Sequence, residues 1–302
     1  MEHEHVSPAP APQPPAFQKW SRSCFSGPRI FVFTFFKTIA VTSGIFLTIL
    51  VWGFVMWSLE KPSCNVSVRS LHGTLDTYPL GGDETASGDL VRMLMQDEND
   101  QTIKSVILDI DSPGGLPVAG EEVAKQLEHM TKPTVAMIRS SGTSAAYWAA
   151  TGARRIFASA DSDVGSIGVI ASLTDETEKN KREGIVYNDL VSAKYKDLGD
   201  PNHPLSRDER DLLMRDINII HDHFVVQVSR ARHLSLEKVK ALADGSSMTG
   251  ASAKDAGLID EVGGIHEIEA YLRVSMDAEP VLCAPDAPAV SSESRAFQFW
   301  SN

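Results

Sequence analysis

Two short apolar runs, each ending in small residues, constrain the fold of this chain more than any other feature. The run Lys104–Asp111 (KSVILDID) is rich in β-branched residues and continues directly into Ser-Pro-Gly-Gly. The run Pro133–Ile138 (PTVAMI) leads into Ser140–Ala150 (SSGTSAAYWAA). Apolar, β-branched runs of this length predict buried strands. The small residues after the second run, followed by Tyr-Trp-Ala-Ala, predict a tight turn and then a buried helix.

Strands and helices alternate along the rest of the chain. Strands are predicted at Asn65–Leu71, Arg155–Ala158 and Val164–Ile170, with an extended run at Ile185–Tyr195. Helices are predicted near Glu84–Gln96, around Val118–Leu127, at Asp175–Glu183, from Ser206 with a capping box to Glu209, after Ser235, from Thr249 to Gly257, and at Ile265–Val274. This alternation predicts an α/β fold with a mostly parallel sheet, in which ligands bind at the carboxyl ends of the strands.

Ser144 and the two glycines Gly114 and Gly115 are predicted to meet at that edge of the sheet. Ser144 would begin a helix, where unpaired N–H groups favour negative charge and a serine can act as a nucleophile. An N-cap serine is the alternative, and GTSAA departs from the G-x-S-x-G elbow at its last position. Two glycines after a strand can offer N–H groups to an oxyanion, although they can also form a simple turn.

The N-terminal part differs from the rest of the chain. Residues 1–37 contain PAPAPQPPA and predict a disordered tail, whereas residues 38–58 form an uncharged 21-residue run. Such a helix is about 30 Å long, which matches a bilayer core. The Lys and Arg residues before it place the N-terminus in the cytoplasm and the large C-terminal part outside. A cleaved signal peptide is the alternative, but the run is long and WSLEKPS lacks an A-x-A-like site. We predict a single-pass anchor in the bacterial inner membrane.

Charge and cysteine content narrow the function classes. Apolar residues make up 42% of the 302 residues, which allows a sizeable core. Residues 1–61 carry five Lys/Arg against three Asp/Glu, and the remainder carries 23 against 37. The acidic remainder would repel phosphates, so no nucleic-acid partner is expected.

Cys64 and Cys283 flank the domain, so a disulfide is possible. No Cys/His cluster has metal-ligand spacing, so no metal and no cofactor are expected, and the histidines are interpreted as surface or packing residues.

From Val66 to Leu272 the chain resembles the signal peptide peptidase A family, which are membrane-anchored Ser–Lys peptidases with the Clp-protease/crotonase fold. Five motifs carry this resemblance in the family's order: DSPGG, SGTSAAYW, VGSIGVI, SAKYKD and ADGSSMTGASAKDAGLIDEVGG. The resemblance implies the following site residues: Ser144 as nucleophile, Lys196 as general base, Gly114 helped by Gly115 as oxyanion donor, and Ser166 as hydrogen-bond partner of the lysine.

The same resemblance implies a serine endopeptidase domain at 62–275, followed by a disordered tail at 276–302. It implies peptide substrates such as leftover signal peptides or membrane-associated peptides, contact with the lipid bilayer, and a ring-like homo-oligomer. Two departures stand out. Many members have two glycines where this chain has Ala145 and Ala146, which bears on the room left for substrate, and they often have glycine at the position of Ala193.

Lys194 and Lys196 have to be distinguished. They are two residues apart in the extended run, so on a regular strand both would point to one face. A lysine acts as a general base only where burial or a nearby positive helix end lowers its pKa toward neutrality. Family position favours Lys196.

Three alternatives remain open. Ser-Ala-Ala also occurs in relatives resembling phage capsid-processing peptidases, although a capsid role fits poorly with a membrane anchor. An inactive anchored scaffold of the same fold is disfavoured by the presence of both Ser144 and Lys196. A crotonase-type acyl-CoA enzyme is disfavoured because acyl-CoA is cytoplasmic.

Overall fold

The computed structural model describes residues 64–78 and 84–283. Within these ranges the strands are β1 (Val66–Asp76), β2 (Glu84–Ala86), β3 (Ser105–Gly115), β4 (Thr134–Thr143), β5 (Arg155–Ala158), β6 (Asp163–Gly165), β7 (Ser247–Thr249) and β8 (Glu261–Val262). The helices of the same ranges are α1 (Ser87–Asn99), α2 (Pro117–His129), α3 (Ala145–Ala150), α4 (Thr177–Glu183), α5 (Arg207–Arg232), α6 (Leu236–Leu242), α7 (Gly250–Ala256) and α8 (Ile265–Met276).

The predicted tail at 1–37 and membrane helix at 38–58 lie outside the described residues. Among the helices of the described ranges, none is both long and apolar enough to cross a bilayer.

The sheet is mostly parallel, as the alternation of strands and helices predicted. Its strand order is β2-β1-β3-β4-β5-β8, and all of these neighbours run parallel. β6 adds a parallel pairing to the end of β4 and pairs antiparallel with β7. The α/β class is therefore confirmed, while the narrower Clp-protease/crotonase assignment stays a prediction.

Two apolar cores form because alternate residues of each strand point to opposite faces of the sheet. Leu108 and Ile110 of β3 belong to the larger core, which also contains the apolar sides of α1, α2 and α3. Ile107 points the other way and shares a smaller core with Ile268 and Leu272 of α8. Each of these side chains is fully buried, which contributes about 1.5–3 kcal/mol apiece. Together the two cores hold the carboxyl ends of β3 and β4 side by side.

Several predicted boundaries are confirmed and two are wrong. The strand Arg155–Ala158 and the capping box at Ser206 are present, with the Ser206 hydroxyl accepting from the Glu209 N–H. The strand predicted at Val164–Ile170 ends at Gly165, because Gly165 and Ser166 both adopt positive φ, 98° and 49°. Residues 185–195 form no strand. Among the described residues, no strand pairs with this segment.

The chain after α8 returns to the start of β1. The Asn65 N–H donates to the Val281 carbonyl at 2.8 Å, and the Cys283 N–H donates to the Val66 carbonyl at 2.8 Å. A disulfide joins Cys64 to Cys283. The bridge that the sequence left open is therefore present, and ordered contacts continue past the predicted domain boundary at 275 as far as residue 283.

Removing this disulfide should destabilise the domain. Cys64 and Cys283 are 219 residues apart, so the bridge constrains almost the whole unfolded domain. We expect Cys283→Ser to lower the free energy of unfolding by about 2–5 kcal/mol in a denaturant titration. Cys64→Ser should have the same effect. The free energy of unfolding of the double variant should be no lower than that of either single variant. Equal stability of the wild type and Cys283→Ser would contradict this expectation.

Candidate active site

Ser144 lies at a sharp turn between β4 and α3. Its backbone has φ 53° and ψ −127°, a conformation that favours glycine and costs another residue about 1–3 kcal/mol. The turn is held from both sides, because the Ser144 N–H donates to the Gly165 carbonyl at 2.8 Å and the Ser144 carbonyl accepts from the Trp148 N–H at 3.0 Å. The backbone of this serine is therefore fixed in a strained conformation.

The Ser144 side chain does not cap the helix. It makes no capping hydrogen bond to α3, and its backbone lies outside the extended region that N-cap residues adopt. The N-cap alternative is therefore wrong for this residue. The side chain is half-buried, and its hydroxyl borders an open cleft.

Gly114 at the end of β3 lies directly against Ser144. Its φ is 101°, and a Cβ added there would lie 2.8 Å from the Ser144 Cβ and 2.9 Å from the Ala145 nitrogen. Only glycine fits such a contact. The Gly114 N–H, predicted as an oxyanion donor, donates to the Ser112 hydroxyl at 3.1 Å.

Gly115 is required by the packing of the sheet, and its help to Gly114 as an oxyanion donor stays a prediction. A Cβ at Gly115 would lie 1.9 Å from the Leu75 carbonyl oxygen, so this glycine is required by the pairing of β3 with β1. The amide of Ala145, at the first position of α3, lies beside Gly114 instead. No described residue accepts a hydrogen bond from the Ala145 N–H, as is usual for the first turn of a helix. It is an oxyanion-donor candidate at the helix start, where the sequence predicts unpaired N–H groups that favour negative charge.

A side chain at Gly114 should damage both the fold and the site. We expect Gly114→Ala to lower the free energy of unfolding by about 1–3 kcal/mol, because alanine would be strained and would press against Ser144. Any activity that depends on Ser144 should fall at least about 100-fold. The matched control is Gly184→Ala, where φ is 71° but nothing lies within 4 Å of the added Cβ. The free energy of unfolding of this control should fall by about 1–2 kcal/mol, and its activity should be kept. Equal activity of the two variants would contradict the placement of Gly114 in the site.

Ser166 joins two walls of the cleft. Its φ is 49°, its hydroxyl donates to the Gly245 carbonyl at 3.0 Å, and its N–H donates to the Ser246 carbonyl at 3.0 Å. The predicted hydrogen bond from Ser166 to Lys196 is absent from the described structure, in which the hydroxyl proton is directed to Gly245.

The cleft in front of Ser144 has a volume of about 440 Å³. Its walls come from the Ser144 turn, the chain after β6, α5 and the turn before β7. The lining residues are Ser144, Ser166, Gly168, Val169, Ile170, Ile217, Asn218, His221, Ala243, Asp244 and Gly245. Hydrogen bonds from the Ser246 hydroxyl and N–H lower the pKa of Asp244, so this wall carries a negative charge. The lining thus combines apolar side chains, such as Val169, Ile170 and Ile217, with polar groups, such as Asn218 and His221.

Lys196 lies outside this cleft lining. It is exposed, in a turn that spans residues 194–199, and no described residue accepts a hydrogen bond from its ammonium group. Lys194 in the same turn is bound to the Asp208 carboxylate at 2.6 Å, and this hydrogen bond raises the pKa of Lys194. The expectation of a strand with both lysines on one face is wrong, because the chain turns here. The structure thus brings Ser144, Gly114 and Ser166 together and leaves Lys196 apart from them.

Ala145 and Ala146 do not narrow the cleft. Both are buried within α3, with 2% and 0% of their surface exposed. Helix α2 packs against them closely, since a Cβ at Gly120 would lie 2.5 Å from the Ala145 carbonyl oxygen. The departure from two glycines therefore affects the packing behind the nucleophile candidate and not the room in front of it.

The sequence analysis missed the contribution of α5. The 4-3-4-4 spacing of Leu213, Ile217, Ile220, Phe224 and Val228 in the sequence predicts a core-facing stripe, but only the last two are fully buried. Ile217 instead lines the cleft with Asn218 and His221. This helix has 26 residues, and only its second half packs on the core. The polar residues Asn218 and His221 beside Ile217 were the available signal.

The chain is similar in sequence to proteins that are named as proteases. The profile of Peptidase family S49 matches residues 126–279. A protein named as a protease in Methanocaldococcus jannaschii is 37% identical over 175 residues, which cover 57% of this chain and 56% of that protein. A protein named as a signal peptide peptidase SppA in Enterococcus faecium is 30% identical over 169 residues, which cover 55% of this chain and 49% of that protein. The matched region therefore spans about half the length of these relatives.

Among solved structures, a membrane-bound stomatin-specific protease matches with a TM-score of 0.47 and 15% identity, over 68% of this chain and 84% of that one. The family profile covers just over half of the chain and includes the Ser144 turn, Ser166 and Lys196. The chain therefore belongs to peptidase family S49, the signal peptide peptidase A family that its motifs resemble.

Proposed function

We propose that this protein is a membrane-anchored serine endopeptidase in which Ser144 is the nucleophile and Lys196 the general base. One observation carries the proposal: Ser144 is held in a strained backbone conformation at the mouth of a cleft, and its hydroxyl does not cap the helix it precedes. Strain of this kind persists where the surrounding structure imposes it, and it concentrates at functional sites. Family membership supplies the class of reaction.

The proposed reaction is acyl transfer to Ser144. A neutral Lys196 amine takes the proton of the Ser144 hydroxyl while the oxygen attacks the carbonyl carbon of the peptide. The resulting oxyanion is stabilised by the Ala145 N–H and by the Gly114 N–H once the latter leaves the Ser112 hydroxyl. The lysine returns the proton to the leaving amine, and a water molecule then hydrolyses the acyl-enzyme with Lys196 again as base.

This mechanism requires Lys196 to be covered in the working enzyme, because a solvated lysine holds its proton at neutral pH. The chain before Lys196 carries strongly exposed apolar residues, including Ile170 at 86%, Val186 at 79% and Leu190 at 99% exposure. Apolar side chains exposed to this degree would be buried if another subunit covered this stretch. This exposure supports the proposal that the enzyme works as a homo-oligomer.

The substrates we propose are signal peptides left after cleavage and other membrane-associated peptides. The apolar side chains Val169, Ile170 and Ile217 in the cleft wall support an apolar peptide. The capsid-processing alternative has support from sequence similarity, since a capsid assembly protease C of Escherichia phage lambda is 26% identical to this chain over 220 residues.

The domain is proposed to lie outside the cytoplasm, anchored by residues 38–58. The disulfide between Cys64 and Cys283 supports this placement, since such bonds persist in oxidising compartments. Protease added to spheroplasts should digest the domain and spare the N-terminal tail. A domain that stays protected until the membrane is lysed would contradict the placement.

The test of the activity is labelling of the detergent-solubilised full chain with a serine-reactive phosphonate, followed by mapping of the labelled residue. We expect a single adduct on Ser144 and none in Ser144→Ala. Ser166→Ala is the matched control. Ser166 lies in the same cleft but is not the proposed nucleophile, so this variant should still be labelled on Ser144. Labelling elsewhere, or equal labelling of Ser144→Ala, would reject the proposal, and a chain that cannot be labelled would favour the inactive scaffold.

A further inference from the structure

Three side chains outside the Ser144 cleft converge at the start of α5. Asp197 belongs to the turn that carries Lys196, His203 precedes α5, and Glu209 lies in its first turn. Each offers one ligand atom, and these atoms all lie within 4.8 Å of one another. The three residues are spaced six apart in the sequence, a spacing that no helix or strand would bring together. The turns between them do so.

The partners of these side chains leave ligand atoms available. The His203 Nε2 is buried and has no hydrogen-bond partner among the described residues; its nearest charged neighbour is the Asp197 carboxylate at 3.5 Å. One Glu209 oxygen accepts the Ser206 N–H at 2.8 Å, which leaves the other oxygen for a ligand. Glu209 is only 6% exposed, and the capping box with Ser206 fixes the position of its carboxylate.

The surroundings are also acidic. Asp200 lines the adjoining cleft of about 430 Å³, together with Asp175, His203 and the one cationic side chain of that lining, Arg210. Asp208 is the other carboxylate at this helix start, and it is neutralised by Lys194. The adjoining cleft gives an ion a path from solvent to His203.

We propose that Asp197, His203 and Glu209 bind a divalent cation, with zinc as the best fit. One imidazole and two carboxylates are an N/O ligand set that zinc accepts, and a water molecule would complete four coordination. Bonds of about 2.0–2.1 Å place tetrahedral ligands about 3.3 Å apart, so the three atoms have to close by about 1.5 Å at most. Asp197 can make this movement because it lies in a turn.

Such an ion would tie the turn that carries Lys196 to the start of α5, since Asp197 directly follows Lys196. This consequence rests on the proposed role of Lys196 as the base. The cation site itself does not, because its ligands are three other residues.

The test is calorimetric titration of zinc into the untagged full chain after chelator treatment. We expect one zinc ion per chain. His203→Gln should weaken binding at least about 100-fold, since even the loss of an outer-sphere partner costs 10–100-fold. Glu209→Gln should weaken it as well while preserving the fold, because glutamine also completes a capping box. The matched control is Asp211→Asn, an exposed carboxylate in the same helix, which should bind zinc as the wild type does.

The outcomes separate this proposal from the peptidase proposal. Ser144→Ala should bind zinc normally even though it is inactive. Absence of zinc binding at about 100 μM metal, where even a micromolar site would be filled, would overturn the cation site. Binding that is unchanged in both His203→Gln and Glu209→Gln would overturn it too. Neither result would affect the assignment of Ser144.

Discussion

Replacing Ser144 with glycine should abolish peptide hydrolysis and at the same time stabilise the protein. The loss of activity should be at least about 10,000-fold, because a serine peptidase without its nucleophile retains only the contribution of its binding and oxyanion groups. Glycine adopts φ 53° and ψ −127° without strain, which recovers about 1–3 kcal/mol. The unfolded state of the glycine variant is more flexible than that of the wild type, and this offsets about 0.4–1 kcal/mol of the gain. The net rise in the free energy of unfolding should be about 1 kcal/mol.

Ser144→Ala is the matched control for that prediction. It should be equally inactive but should have nearly the stability of the wild type, because alanine suffers the same backbone strain and the lost hydroxyl caps no helix. Turnover of a peptide substrate and denaturant titrations on all three proteins provide the two measurements. If Ser144→Gly were less stable than Ser144→Ala, the backbone of Ser144 would not be strained, and retained activity in either variant would exclude Ser144 as the nucleophile.

The second large effect concerns the two lysines of the turn at 194–199. Lys196→Ala should lower the rate about 1,000-fold or more, as losses of a general base commonly do. Lys196→Arg should not restore it, because a guanidinium group cannot give up its proton at working pH. Lys194→Ala should keep a rate near that of the wild type. It loses only an exposed ion pair with Asp208, which is worth about 0–1 kcal/mol.

Initial rates measured against pH for these three variants decide the assignment. An inactive Lys194→Ala together with an active Lys196→Ala would exchange the roles of the two lysines. Lys196 lies outside the lining of the Ser144 cleft in a single chain. A further experiment therefore asks whether the lysine and the serine act within one chain or between two copies. Subunits with Ser144→Ala and subunits with Lys196→Ala should each be inactive alone. If they regain activity when mixed, a lysine serves the serine of another copy; without recovery, the pair acts within one chain.

The sheet and its helices were predictable because their local signals and their packing agree. β3 and β4 are apolar, β-branched runs, and they became the central strands of a parallel sheet. The long helix was placed correctly at its start because the Ser206 hydroxyl and the Glu209 carboxylate cap it reciprocally. Strand β6 was predicted too long because two consecutive positive φ values, at Gly165 and Ser166, end it.

The candidate site was only partly predictable. Gly114 and Ser144 follow neighbouring parallel strands, so the edge of the sheet brings them together. The walls contributed by Asn218 and His221 had only a weak signal, the polar residues beside Ile217, because their place in the cleft depends on how the long helix packs. Lys196 could not be placed either, because a turn has no periodicity from which the direction of a side chain follows.

The disulfide between Cys64 and Cys283 makes the peptidase domain a closed covalent ring. A single peptide-bond cut between these cysteines opens the ring without dividing it. The stretch around Leu190 presents the backbone for such a cut, since Leu190 is 99% exposed. A nick there would put Ser144 and Lys196 on different fragments, yet neither fragment would be released. The nicked protein would migrate as one chain on a nonreducing gel and separate into two pieces only after reduction.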